Sequence, residues 1–167
     1  PQVLVLHSYH RGFTWTDQQM DGILAVFRER WPSFEPHTAY LDAKRHDGPD
    51  HEAALLALLR TGRPDRPWDA VIATDDAALS FLLRHRAEVG GDAPVAFSGV
   101  NGLDLERLSP ATQAPRLSGV IEAVDVAGTL ALVKALQPRL RSLTVLLDRT
   151  DTSAALDERV RALDERP

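Results

Sequence analysis

Six short apolar runs govern what this chain can fold into. They are Val3–Ser8 (VLVLHS), Thr38–Leu41 (TAYL), Ala70–Thr74 (AVIAT), Pro94–Asn101 (PVAFSGVN), Leu117–Glu122 (LSGVIE) and Leu143–Asp148 (LTVLLD). Continuous apolar runs of this length suit strands buried on both faces of a parallel sheet. Helical spacing separates them. Met20, Ile23, Leu24, Phe27 and Trp31 recur every three or four residues until Pro32 stops the run. Thr16 and Gln19 ahead of them fit a capping box. Leu79, Leu82 and Leu83 give a second helix its buried side. Val126, Leu130, Val133 and Leu136 do so for another, with Asp125 as its cap. Leu156, Val160 and Leu163 mark a last helix. Strand followed by helix, six times over short connections, predicts right-handed crossovers. The expected fold is α/β, a doubly wound parallel sheet.

In an open sheet of this kind ligands bind outside the carboxyl ends of the strands. Each apolar run turns polar there. The candidates are therefore Ser8–His10, Asp42, Thr74–Asp76, Ser98–Asn101, Glu122 and Asp148–Thr150. The aromatic loop Tyr9–Trp15 reads either as a cover for the sheet or as a stacking wall over a ligand. Asp75 and Asp76 suit the positive end of a helix dipole, and capping accounts for one of them better than for two. Asp42, Lys44 and Arg45 read as a solvated charged loop. Gly99 permits a backbone turn whose amides face a ligand, or a plain tight turn.

Several chemistries drop out. The chain has 167 residues, enough for one ordinary core, and no cysteine, so disulfides, thiolate metal sites and cysteine nucleophiles are excluded. A net charge of −5 disfavours a nucleic-acid partner. No G-x-G-x-x-G follows the first strand, and no P-loop or G-x-S-x-G elbow occurs. The six histidines lack a metal-binding spacing, so no metal and no cofactor is expected. A phosphoacceptor receiver would need an acidic pair after strand one, where His7 and Ser8 stand. No nucleophile–base or acid–base pair is visible, so an enzyme using Asp75 and Asp76 or His7 and His10 is the lesser alternative. What remains is a set of hydroxyls, carboxylates, an amide and aromatics suited to orienting a small polar organic molecule. No run approaches the roughly 20 residues of a membrane span. The chain opens directly on a strand at Val3, which reads as a trimmed start, so a missing targeting signal says nothing of compartment.

Taken in order, VLVLHSYHRGFTWTDQQMDGI, YLDAKR, DAVIATDDAALSFL, PVAFSGVNG, LSGVIEAVDVAGTLALVKALQP and LTVLLDRTDT resemble the ABC-transporter substrate-binding-protein-like sensor domains of bacterial signalling proteins. The resemblance spans essentially the whole chain. It implies the type I periplasmic-binding-protein fold, in which two lobes close on a ligand between them. Residues 1–122 would form the first lobe, of about five strands. Residues 123–167 would hold the hinge and a sixth strand and helix beginning a second lobe. A full second lobe needs on the order of a hundred more residues, so a truncated second lobe is expected. An edge exposed by the sixth strand would invite pairing with another chain, so a homodimer is possible. By the same resemblance the ligand-binding residues are Ser8, Tyr9, Trp15, Asp75, Asp76, Gly99, Val100, Asn101 and Glu122, faced by Thr150 and Thr152. The expected role is non-enzymatic and extracytoplasmic: sensing a small organic solute for a histidine kinase or diguanylate cyclase. The alternative is the solute-binding component of an ABC transporter. Membrane attachment would come only through other parts of the parent protein.

Overall fold

A computed structural model of the protein describes residues 1–46, 48–62, 65–101, 116–122, 124–149 and 151–164, without the side chains at 151, 152, 155 and 164. Five strands form one sheet: β1 (Val3–His7), β2 (His37–Tyr40), β3 (Ala70–Thr74), β4 (Val95–Val100) and β5 (Leu117–Ile121). Their order is β2-β1-β3-β4-β5, and every pair is parallel. The order reverses between β1 and β3. That is the switch point at which an open sheet leaves a crevice.

Alternation along β1 divides the core in two. Val3 and Val5 face α1 (Thr14–Arg30) and pack with Phe34, Met20, Ile23, Leu24 and Phe27. Leu4 and Leu6 point the other way, into the larger core with Val71, Ala73, Leu79, Phe81, Leu82 and Phe97. That core is covered by α2 (Pro49–Thr61) and α3 (Asp75–Arg84). All five side chains of β1 are buried, as a central strand requires. The short α4 (Arg86–Val89) follows α3, and Trp68 donates its indole N–H to the Val89 carbonyl at 2.9 Å. Beyond β5 come α5 (Val126–Leu136) and α6 (Asp151–Asp164). Asp125 caps α5 as expected, accepting from the Gly128 amide at 2.8 Å. Among the described residues no helix is long and apolar enough to cross a membrane.

Two expectations are corrected. Residues 143–148 form no strand, although their composition is strand-like. Leu143, Val145, Leu146 and Leu147 are exposed, Leu146 at 90%. A strand exists only through its hydrogen-bonded neighbour, and no sheet edge takes up this segment. The capping box at Thr16 and Gln19 is not formed either. The helix starts earlier, at Thr14, with no side-chain cap. Thr16 is buried, and Gln19 is turned to the strand ends.

Candidate functional site

The sheet register sets one polar side chain beside the next. His7 pairs with Tyr40 on one side and Thr74 on the other, and Thr74 pairs with Ser98. Alternation carries His7 onto the α1 face, two residues beyond Val5. The row therefore continues the α1-side core in polar form at the carboxyl ends. His7 Nδ1 lies 2.9 Å from Thr74 Oγ1, and its ring stacks on Tyr40 at 5.2 Å. Above the row stands the first turn of α1. Trp15 and Gln19, four residues apart, share one helical face. Thr16 lies one turn ahead of Met20 on the sheet-facing side and is 1% exposed.

Asp75 joins these pieces. It opens α3 in the left-handed region, with φ of +68°. A non-glycine residue is uncommon there. The turn sends its carboxylate back to α1. Trp15 Nε1 donates to both oxygens, at 3.0 and 3.2 Å, and Gln19 Nε2 donates at 3.3 Å. The Gln19 carbonyl accepts in turn from Ser98 Oγ at 3.0 Å. Gly99, with φ of +70°, lets the β4 end pass close by; a β-carbon there would lie 3.1 Å from Asp75 Oδ1. Burial raises the Asp75 pKa to about 6, opposed by the Trp15 and Gln19 hydrogen bonds and aided by the charges of Asp76 and Glu122. Burial lowers that of His7 to about 4, with Asp17 acting weakly against it. The imidazole is therefore neutral at physiological pH.

Asp76 serves the other side of the cluster. Its carboxylate accepts from the Asn101 amide at 2.8 Å and from Asn101 Nδ2 at 3.4 Å. That Nδ2 also approaches the Gly99 carbonyl at 3.3 Å and Glu122 Oε2 at 3.4 Å. From α6, Arg159 donates to the Asn101 carbonyl. Five chain segments, α1, the β3–α3 junction, the ends of β4 and β5, and α6, thus meet around Asp75, Asp76, Asn101 and Glu122.

Of the residues expected at a ligand, the structure gathers Trp15, Asp75, Asp76, Gly99, Asn101 and Glu122. Ser8 is placed differently. It is fully buried, donates to the Thr74 carbonyl at 2.7 Å and accepts from the Ala78 amide at 2.7 Å. It ties β1 to β3 and satisfies a backbone donor at the start of α3. Tyr9 is 6% exposed and belongs to a neighbouring cluster, edge-on to Phe13 with Lys44 over its ring at 4.8 Å. The Val100 side chain lies in the core. Thr150 and the Thr152 side chain lie outside the described residues. Gln19, Thr16 and Arg159 were not expected. The spacing of Gln19 from Trp15 was the available signal for the first; the other two depend on tertiary placement.

The arrangement presents carboxylates, a carboxamide and an indole. The Thr74–His7 contact is a hydroxyl against an imidazole, but both residues are fully buried in this conformation. Among the described residues no three His, Cys, Asp or Glu side chains are placed to hold a metal. A separate apolar groove of about 450 Å³ lies between β2 and α2, lined by Leu4, Ala39, Leu55, Leu58, Leu59 and Trp68. No protein-family model matches the chain, and no curated protein sequence matches it.

Proposed function

We propose that the chain is an extracytoplasmic small-molecule-binding module of the type I periplasmic-binding-protein kind, serving bacterial signal transduction. One observation carries the binding part of this reading. Trp15 from α1, Asp75 and Asp76 from the β3–α3 junction, Asn101 after β4 and Glu122 after β5 meet at the carboxyl ends of a doubly wound sheet. That is where such folds take ligands. The left-handed Asp75 supports it, because backbone strain of about 1–3 kcal/mol persists where surrounding contacts over-determine it, often at ligand sites. The sensing role and the compartment rest on the sequence resemblance. Binding would act by shifting an equilibrium between conformations.

A thermal-shift screen tests the reading, using amino acids, sugars, purines and aromatic acids. A ligand at 100 times its Kd adds about 2.7 kcal/mol of stability. The expected result is a specific hit abolished by Trp15→Ala and by Asp76→Ala. No stabilisation by any solute class rejects the binding module.

A further inference from the structure

The edge strand β2 leaves half of its backbone groups unused. Leu41, just past its end, donates to the His7 carbonyl of β1 at 2.8 Å. In a parallel ladder only alternate residues of a strand bond to a given neighbour. Ala39 and Leu41 therefore face β1, and Thr38 and Tyr40 turn their N–H and C=O groups outward. β2 ends the sheet, and among the described residues no backbone bond takes these groups up. Edge strands are normally guarded by charged residues, proline or a bulge. β2 reads HTAY, keeps an unbroken register with β1 and has none of the three. At the opposite edge a register shift interrupts the β4–β5 pairing.

Beside the open edge lies the apolar groove of about 450 Å³. Leu55, Leu58 and Leu59 share one face of α2 and form its helical wall. Leu58 is 65% exposed, so the groove is open to an arriving chain. Thr38 and Tyr40 line it as well. Their side chains alternate to the α1 face with Val5 and His7, so it is their outward main chain that borders the groove. No lining residue is Asp, Glu, Lys or Arg, and the charge complement of such a wall is an uncharged, apolar group. An occupant must therefore do two things at once. It must meet N–H and C=O groups that repeat roughly every 6.6 Å along the edge, and it must bring apolar groups to Leu55, Leu58 and Leu59. An extended polypeptide has that repeat in its alternate residues and sets every second side chain on one face.

We propose that β2 takes up an extended peptide segment by strand addition, its main chain on Thr38 and Tyr40 and every second side chain, apolar, in the groove against α2. The site shares no residue with the Asp75 cluster, so it stands or falls apart from the function proposed above.

Main-chain hydrogen bonds supply the affinity in this mode of recognition, so a plain alternating sequence serves as the probe. The probe is acetyl-KVTVTVK-amide. Its control is the same peptide N-methylated at the central valine and the threonine after it, two residues that face opposite edges. The two peptides carry equal charge, so general attraction to a chain of net charge −5 cancels. Each is titrated into the full chain to ~5 mM, with the backbone amide resonances as readout. The Thr38 and Tyr40 amides are expected to shift saturably and, at saturation, to exchange at least ~10-fold more slowly. The N-methylated peptide should bind at least ~10-fold more weakly. Thr38→Pro removes a donor that β1 does not use, and should weaken the probe by a similar factor. Leu58→Lys alters an exposed wall position, leaves the ladder alone and should do the same; it decides the matter if the proline variant fails to fold. No saturable shift overturns the proposal. So does equal binding of the N-methylated peptide, or binding unchanged in Leu58→Lys. Protection of the Thr38 and Tyr40 amides that grows with protein concentration, without peptide, gives the edge to a second copy and overturns it as well.

Discussion

His7, at the end of β1, and Asp75, just past the end of the adjacent β3, are both buried and pull stability in opposite directions with pH. The Asp75 carboxyl has a pKa of about 6 in the fold against 3.8 for the free group. Between these values the folded state binds more protons than the unfolded state, so its contribution is greatest below pH 3.8 and is lost as pH rises through 6. His7 moves from 6.5 to about 4. Between those values the unfolded state binds the extra proton, so its contribution is present above 6.5 and is lost as pH falls toward 4. Each effect is on the order of 3 kcal/mol. Their windows nearly coincide, so together they leave stability almost flat from pH 4 to 6. Asp75→Asn removes one slope. The variant should gain up to ~3 kcal/mol at pH 7.5 relative to the parent and almost nothing at pH 4, as measured by urea unfolding across that range. A parent already losing stability steeply below pH 6 would contradict the pairing. At Gly99 the backbone argument is separate. Gly99→Ala meets both a positive φ and the Asp75 carboxylate, so a loss of about 1–3 kcal/mol is expected at any pH.

The helices and strands show which parts of the architecture can be read from local pattern. β1 was legible because burial on both faces leaves an unbroken apolar run, and Asp125 because a cap satisfies amides in its own turn. Leu6→Ala, in the middle of that run, should cost about 2–5 kcal/mol in thermal or urea unfolding. Thr16 and Gln19 carried the spacing of a capping box, yet α1 uses them across the sheet interface instead. The same local signature fits both outcomes, and tertiary contacts decide. Leu143–Leu147 carried a strand's composition without a partner, and pairing cannot be seen in one segment alone. Much of the candidate site was legible for a topological reason: parallel strands deliver all their carboxyl ends to one edge. The left-handed turn at Asp75 was not, since nothing adjacent in sequence demands it. Ser8 shows the limit most clearly. A serine at a strand end reads as a ligand group, but its hydroxyl bridges Thr74 and Ala78. Ser8→Ala should therefore leave the buried Ala78 amide unpaired and cost about 1–3 kcal/mol in urea unfolding. A variant as stable as the parent would free Ser8 for another role.

At the scale of the whole molecule, order is distributed unevenly about the sheet. β1 has strands on both sides and no exposed side chain, whereas β5 ends the sheet with Val120 and Ile121 exposed. The apolar exposure continues along α5 at Leu132 and Leu136 and through 143–147. Hydrogen exchange should follow this gradient, with β1 amides opening only on global unfolding and those of 143–147 exchanging without protection. Slow exchange at 143–147 in the isolated protein would mean that this segment has found a pairing partner. The strictly parallel sheet has a last consequence for anyone building with this molecule. Its returning connections lie at the edge opposite Asp75 and Asn101. Pro32 and Ser33, in the connection between α1 and β2, are exposed. A fluorescent reporter spliced in at Ser33 would hang from the blind side of the molecule, coupled to the Asp75 cluster through α1 and touching none of it.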